Sequence, residues 1–397
     1  MSWEKVKLNN VIHKPISGEW GEEGNEVFVL RTTNFTNDGR IDLNDVVKRS
    51  VPRTKIEAKK LRKGDTILEK SGGSPSQPVG RVVYFDLNGG AEYLCNNFTS
   101  VIRPKENIDP KYLFWFLFNN HVSKKTLRYQ NKTTGIINLQ TDRYLNELDI
   151  PLPPLPTQQK IAAILDAADN LRRKDNELLT KYESLLQSIF YHLFGNPLKN
   201  EKGWDVALLS NVVDTRLGKM LDAKKINGKH LYKYLGNSNV LWNEFDLNDL
   251  KEMDFSSEER QVFNLRRGDI LMCEGGEVGR CAIWETDDAD IYFQKALHRI
   301  RVKKEKLNEH FFVWLMFIMS KNNGFKDYVS SATIAHLTGA KLRTMKLVLP
   351  PIKLQNHFAS IAHNIQLQKK QVIDQASQSE ALFKKLLQKA FKGELMS

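Results

Sequence analysis

Leu61-Arg62-Lys63-Gly64-Asp65-Thr66-Ile67-Leu68 and Leu265-Arg266-Arg267-Gly268-Asp269-Ile270-Leu271 are one phrase written twice. Each is a basic, glycine-containing turn that runs into a short apolar strand. Upstream, Trp3 and Leu8 are answered by Trp204 and Leu209. Downstream, Gly72-Gly73 and Val79-Gly80-Arg81 are answered by Gly275-Gly276 and Val278-Gly279-Arg280. Farther on, residues 112–118 (YLFWFLF) match 311–317 (FFVWLMF), and Leu152-Pro153-Pro154-Leu155 matches Leu349-Pro350-Pro351-Ile352. The offset runs only from 197 to 204 residues, with one four-residue difference in the glycine loop. A repeat of this period means two like domains, in keeping with a length of 397 residues.

Within a copy, segments 27–31, 66–68, 80–85 and 98–103 carry β-branched or aromatic residues between Asn, Gly, Pro and Asp, and read as strands. The second copy offers 270–271, 281–284 and 298–302 at equivalent places. Residues 112–118 and 311–317 read as helices, and their near-continuous apolar character demands burial against the strand layer. The fold class is therefore α/β: two similar mixed α/β domains. The prolines from Pro153 to Pro156 force extended backbone and stop the globular pattern.

A long helix follows, from about 160 to 194. Counting sevens places Ile161, Ala168, Asp175, Tyr182 and Ile189 on one row and Ile164, Leu171, Leu178, Leu185 and His192 on the next. The terminal segment places Phe358, Ile365, Val372, Ser379 and Leu386 beside Ile361, Gln368, Gln375, Leu382 and Lys389. Each helix either packs on its own domain or pairs antiparallel with the other. Pairing buries both stripes in one seam and gives a pseudo-twofold arrangement. The expected division is 1–151 and 197–348 for the domains, with 152–196 and 349–397 as coiled-coil-like spacer helices. Such a helix spans about 52 Å, enough to hold the two domains well apart.

Hydrophobic residues make up 41% and charged residues 27%, which excludes disordered and collagen-like classes. The apolar windows are too short to span a bilayer, so no membrane partner is expected. Cys95, Cys273 and Cys281 form neither a disulfide framework nor a zinc pair, as in a reducing cytoplasm. A net charge of +12 favours a polyanion. Lys48, Arg49, Arg53, Lys55, Lys59, Lys60, Arg62 and Lys63 put eight basic groups in 16 residues, relieved only by Glu57, and form the best local phosphate-binding candidate. Arg216, Lys219, Lys224, Lys225, Lys229 and Lys233 are the sparser counterpart.

Base reading needs polar tips on a held frame. The loop Gln130-Asn131-Lys132-Thr133-Thr134-Gly135 and its counterpart Val329-Ser330-Ser331-Ala332-Thr333 differ greatly while their surroundings repeat. The glycine loops Ser71-Gly72-Gly73-Ser74 and Glu274-Gly275-Gly276, and Arg31 and Asn34 at a strand end, are further candidates for DNA contact.

No catalytic set emerges. The glycine pairs lack a GxxxxGK[ST] phosphate cradle, and Gly195-Asn196-Pro197-Leu198 lacks the second proline and aromatic residue of a base-methylating site. Asp45, Glu57 and Lys59 imitate an acidic-acidic-lysine nuclease centre, but the second copy has no equivalent trio. The nine histidines form no HExxH or ligand-spaced pair with Cys, so no metal site is expected.

In combination, the sequence resembles the specificity subunit of Type I restriction-modification systems over almost its whole length. The resemblance rests on the duplicated domains, the two Gly-Asp phrases, the run Leu152-Pro153-Pro154-Leu155-Pro156-Thr157-Gln158-Gln159-Lys160-Ile161, and the helix ends Leu185-Leu186-Gln187-Ser188-Ile189-Phe190 and Leu386-Leu387-Gln388-Lys389-Ala390-Phe391. It departs at Thr157, where the family often has an acidic residue. Leu354-Gln355-Asn356 reads as a loose second version of the Pro-Pro-x-x-x-Gln pattern, which bears on how tightly that end grips its partner. The resemblance implies a chain with no active centre or bound cofactor of its own, whose two target-recognition domains read a bipartite site in double-stranded DNA. It implies that the long helices receive two modification (methyltransferase) subunits, joined by restriction (motor-nuclease) subunits. S-adenosylmethionine, ATP and magnesium would then be held by those partners.

Overall fold

The computed structural model describes residues 3–74, 77–133, 136–220, 230–287, 290–329 and 336–395. Contacts divide the chain into two compact units, Met1–Asn176 with Asp374–Ser397, and Glu177–Ile373. The α-helices are, in chain order, α1 (Arg53–Lys59), α2 (Pro110–Val122), α3 (Thr141–Glu147), α4 (Leu155–Phe194), α5 (Leu209–Val212), α6 (Ser257–Val262), α7 (Glu309–Lys321), α8 (Gly339–Arg343) and α9 (Ile352–Ala390).

The first unit has an antiparallel sheet ordered Ile16–Ser17, Thr99–Ile102, Thr66–Glu69, Val82–Tyr84. The second repeats it as Val213–Leu217, Leu297–Val302, Ile270–Cys273, Cys281–Ile283. A mixed sheet also recurs. Val47–Ser50, Glu22–Leu30 and Tyr93–Cys95 correspond to Lys251–Asp254, Leu231–Leu235 and Ile291–Phe293, with the last pairing parallel in both. Each unit closes by pairing its first strand with the one before its long helix, Lys5–Lys7 with Asp149–Pro151 and Asp205–Leu208 with Lys346–Leu349. The repeat read in the sequence is thus a repeat of topology, and the fold class is two mixed α/β domains with long helices.

The Gly-Asp phrase explains itself in both copies. Asp65 Oδ2 accepts the Arg62 amide at 2.7 Å, closing the turn, and its carboxylate takes two hydrogen bonds from Arg103 at 2.8 and 2.7 Å. Asp269 accepts the Arg266 amide at 2.9 Å and pairs with Arg301 at 2.6 and 3.0 Å. Both aspartates are buried, and the cost of burying each carboxylate is offset by the arginine and the backbone amide that meet it.

Asp109 and Asn308 cap α2 and α7, and Pro110 starts α2 where no amide hydrogen is needed. Residues 112–120 are all buried, because α2 lies between its sheet and the long helices. Trp115 Nε1 donates to Asp166 of α4 at 2.9 Å, and its ring meets Phe383 of α9 at 5.5 Å. In the second unit Phe311 of α7 stacks on Phe190 of α4 at 5.8 Å, and Phe190 meets Phe358 of α9 at 5.5 Å. Each such side chain contributes about 1.5–3 kcal/mol on burial.

Within each unit the α4 and α9 segments run antiparallel. In the first, Arg172 reaches Glu380 at 3.1 Å and Asp175 accepts from Gln375 at 2.9 Å; in the second, Lys369 reaches Glu183 at 2.6 Å. Two expectations are corrected. The helix starts at Leu155, not near Lys160, since Pro156 falls in the first turn, where proline is tolerated. The second row of sevens is misplaced: Leu171, Leu178, Leu185 and His192 are exposed, while Leu165, Asp169, Leu186 and Phe190 are buried. On α9, Gln368 and Leu382 are exposed too, and Leu387 is buried. Each helix packs on both its partner and its own domain, and this turns the buried face away from a two-stranded seam.

The Pro-Pro-x-x-x-Gln pattern is also revised. Gln158 Oε1 accepts the Asp109 amide at 2.8 Å, while Nε2 donates to Asn107 O at 3.3 Å and Pro153 O at 2.8 Å. Gln355 makes the same set with Asn308 N (2.9 Å), Lys306 O (3.1 Å) and Pro350 O (2.7 Å). Both are buried, so the second version is as close as the first, and it bolts the long helix to the α2 or α7 cap.

Candidate nucleic-acid interface

In the first unit the chain leaves strand Glu22–Leu30 through a tight helical turn, Thr32–Asn34. Asn34 is buried. Its Oδ1 accepts the Arg31 amide at 2.9 Å, and its Nδ2 donates to Asp42 O and Asp45 O at 3.1 and 3.0 Å. Arg31 donates to the Asp45 carboxylate and carbonyl, both at 2.7 Å. Asn34 thus spends its side-chain amide building the turn, and Arg31 braces it through one Nη while its Nε has no hydrogen-bond partner among the described residues. Arg81 ties that turn to the central hairpin, donating to Glu69 at 2.9 and 2.8 Å and to Thr32 O at 3.2 Å.

The second unit rebuilds the device. Asn239 accepts the Gly236 amide at 2.9 Å and donates to Asp246 O at 3.1 Å; Arg280 donates to Asn237 O at 2.9 Å. Cys273 stands where the first unit has Glu69, at the end of the same central strand.

The glycine stretch is not a loop in the first unit. Ser71–Gly73 is a strand paired with Ile136–Leu139, which pairs with Gln130–Thr133. Ser71–Gly73 and Gln130–Thr133 therefore lie in one small sheet. Ser71 Oγ donates to Asn138 Oδ1 at 2.5 Å, Gln130 Nε2 donates to Val79 O at 3.0 Å, and Asn131 Oδ1 accepts from Gln140. Gly72 has φ of +98°, and a β-carbon on Gly73 would lie 2.8 Å from Val79 N, so both positions need glycine. In the second unit Gly275 bridges His336 through the backbone, and Gly276 has φ of +76°. Thr134, Lys224, Lys225, Ser330, Ser331 and Thr333 lie outside the described residues, as do the side chains of Lys132 and Thr133.

The dense basic run is folded against Glu19 and Glu92, which are distant in sequence, and against its own Glu57. Lys55 and Lys59 meet Glu19 at 3.1 and 2.7 Å, Arg53 meets Glu92 at 2.6 Å and Glu57 at closer range, and Lys60 meets Glu57 at 2.7 Å. Lys59 and Lys55 in turn hold the Glu19 carboxyl below its ordinary range. Arg53, Lys55, Lys59 and Lys60 are thus each paired with at least one carboxylate. Lys48 sits 4.8 Å over the Phe28 ring and Arg49 4.1 Å over Trp20. Arg62 and Lys63 are exposed, with no carboxylate partner among the described residues. Lys219 is held by Glu259 at 2.5 Å and Asp254 O at 2.6 Å, whereas Arg216 is exposed on its strand.

Asp45, Glu57 and Lys59 are not brought together as a nuclease centre, since each has a different partner. Asn196 Oδ1 accepts the Leu198 amide at 2.9 Å, closing the turn after α4. Among the described residues no group of three His, Cys, Asp or Glu is placed to hold a metal ion, and no helix is long and apolar enough to cross a membrane. The residues that sequence reasoning missed are the turn-to-hairpin arginines, Arg81 and Arg280, and the polar side chains around them. Only the Val-Gly-Arg match between copies hinted at the former.

Comparison with known proteins bears on this duplicated frame. The Type I restriction enzyme EcoKI specificity subunit of Escherichia coli K12 is 24% identical over 398 residues, covering 92% of this chain and 82% of that protein. The MjaVIII specificity subunit of Methanocaldococcus jannaschii is 27% identical over 293 residues, 66% of each. A crystal structure of the Type I restriction-modification S subunit from M. genitalium aligns over 98% of this chain and 96% of that one, with a TM-score of 0.60 at 14% identity. A chain from a structure addressing assembly and conformational transition of the Type I system aligns over 99% and 98%, with a TM-score of 0.58 at 18% identity. These two likenesses speak for the fold. The Type I restriction modification DNA specificity domain matches twice, at residues 2–181 and 201–379, in register with the two copies of sheet, turn and bolt, and the chain belongs to that family.

Proposed function

We propose that this chain is the DNA-reading subunit of a Type I restriction-modification assembly, with each unit addressing one half of a bipartite target in double-stranded DNA. The observation that carries the reading is the pair of frames. Sheet order, Asp–Arg pair, Asn-built turn and glutamine bolt recur, while the polar residues on the hairpins and turns change. A scaffold kept twice with unlike tips suits two readers of unlike sequences.

Ser71, Gly72, Gly73, Gln130, Asn131, Lys132, Thr133 and Thr134 in the first unit, and Gly275, Gly276, Ser330, Ser331 and Thr333 in the second, remain the proposed contact loops. Lys48, Arg49, Arg62, Lys63, Arg216, Lys224 and Lys225 are proposed phosphate contacts. Arg31, Asn34, Arg53, Lys55, Lys59, Lys60 and Lys219 act mainly by shaping the surface. Leu171, Leu178 and Leu185, exposed at seven-residue spacing on α4, support its use as a docking face for two modification subunits, with restriction subunits joining them. S-adenosylmethionine, ATP and magnesium belong to those partners, and the setting is the cytoplasm.

Mapping methylated adenines in host DNA with and without this gene tests the reading. A two-part motif that disappears with the gene is expected, and a host methylome unchanged by its removal refutes it. Exchanging residues 1–150 should change one half of the motif, and exchanging 200–345 the other.

A further inference from the structure

Each unit carries an open cleft where the turn that leaves the mixed sheet meets the glycine stretch of the central hairpin, the first bounded by the turn and hairpin and the second also by residues 294–296 after strand Ile291–Phe293. In the first it is lined by Thr33, Asn37 and Gln77, with Gly72 at its edge and the Arg81–Glu69 pair in its wall. In the second it is lined by Asn237, Gln294, Lys295 and His336, with Gly275 and Gly276 at its edge. Arg81 lines the first cleft and binds the carbonyl of the first residue of the turn; Arg280 makes the same tie beside the second cleft without lining it. The polar linings differ as well. Thr33, Asn37 and Gln77 are exposed, and their side chains make no hydrogen bond among the described residues. Asn237 Oδ1 is buried in the second cleft with no donor among the described residues.

We propose that these two clefts are the base-edge pockets of the chain, an inference that rests on its being a DNA specificity subunit. Asn37 and Gln77 each offer a donor and an acceptor on one amide, which matches the N6/N7 edge of adenine, and the Thr33 methyl suits the thymine methyl. Lys295 adds a cation that matches guanine O6 and N7, beside the Gln294 amide. The first unit therefore reads an A·T pair through its cleft, and the second reads a guanine. The fixed Arg-to-carbonyl tie holds the turn at constant distance from the hairpin, so lining residues change without moving the frame.

The test uses the complex assembled with its modification subunits and a library of duplexes randomised across both target halves, read by selection and sequencing. N37A/Q77A is expected to lower discrimination at an A·T position in one half about ten- to a hundred-fold, with the other half unchanged. Q294A/K295A is expected to do the same at a guanine in the other half. If either alanine pair fails to assemble, N37D/Q77E and Q294E/K295M keep the side-chain volume, alter donors or charge, and are read in the same way. A wild-type complex with a two-part preference that every assembled variant keeps unaltered overturns the cleft assignment and leaves the function standing. A wild-type complex with no two-part preference overturns both.

Discussion

Replacing Gln158 with alanine removes one acceptor and two donors from a site with no water access. The Asp109 amide loses its only side-chain acceptor at 2.8 Å, and the Pro153 and Asn107 carbonyls lose donors at 2.8 and 3.3 Å. A buried group left unpaired costs about 1–3 kcal/mol. The amide takes the upper part of that range because it has no alternative, and the long bond to Asn107 takes the least. A net loss of about 3 kcal/mol follows, or about 6–12 °C in the melting of a unit of this size. Gln355→Ala should cost the same in the second unit, because its three bonds are equivalent. Urea unfolding followed by tryptophan fluorescence, with Trp115 and Trp314 as buried reporters, measures the loss. Hydrogen exchange at the amides of Asp109 and Asn308 locates it. If Gln158→Ala leaves stability within about 1 kcal/mol of wild type and instead weakens partner assembly, the glutamine is a docking residue and the bolt argument is wrong.

Arg103→Ala should destabilise the first unit by about 3–5 kcal/mol by stranding buried Asp65, and Arg301→Ala should act likewise on Asp269, both by chemical denaturation. Burial, reinforced by the Arg81 charge, pushes the His121 imidazole down to about 4. Its folded value lies below its unfolded one, so its stabilisation is complete above about pH 6.5 and is lost as pH falls toward 4, by about 2 kcal/mol at pH 5. H121N should flatten that part of the stability profile. Asp175 is buried with Oδ2 unpartnered among the described residues, so D175L/Q375L should raise the melting temperature of the first unit; an unchanged or lower value would show that the polar pair stabilises the seam. In titrations of complex against DNA at several salt concentrations, R62A/K63A should flatten the salt dependence by about two phosphate contacts, and K55A/K59A by fewer, because Glu19 already neutralises those lysines.

Order along the chain carried most of the fold. The recurrence of the Gly-Asp phrase, the glycine pair, the apolar helix and the prolines was enough to foresee two domains of one topology, because each of those phrases marks a backbone event that local residues control. What escaped was set by partners remote in sequence. Glu19 and Glu92 reach α1 only after the mixed sheet forms, so a run that reads as strongly cationic is partly compensated in space. The sevens count assumed one neighbour for each long helix; α2 and α7 supply a second, and the buried face turns accordingly. Asn34 stands at a strand end, as the sequence suggests, yet its amide donates to the carbonyls of Asp42 and Asp45. The clefts were illegible for a related reason. Thr33 and Gln77 lie far apart in the chain and line one cleft only once turn and hairpin have folded together.

Phe383, Leu387 and Ala390 belong to the core built around α2, although they are encoded more than 200 residues after it. On a ribosome adding roughly 5–20 residues per second, the amino-terminal core therefore waits about ten to forty seconds for its last side chains. The carboxy-terminal core is finished meanwhile. A nonsense codon shortly after position 373 would then injure the half of the molecule translated first and spare the half translated later, the reverse of what truncation ordinarily does.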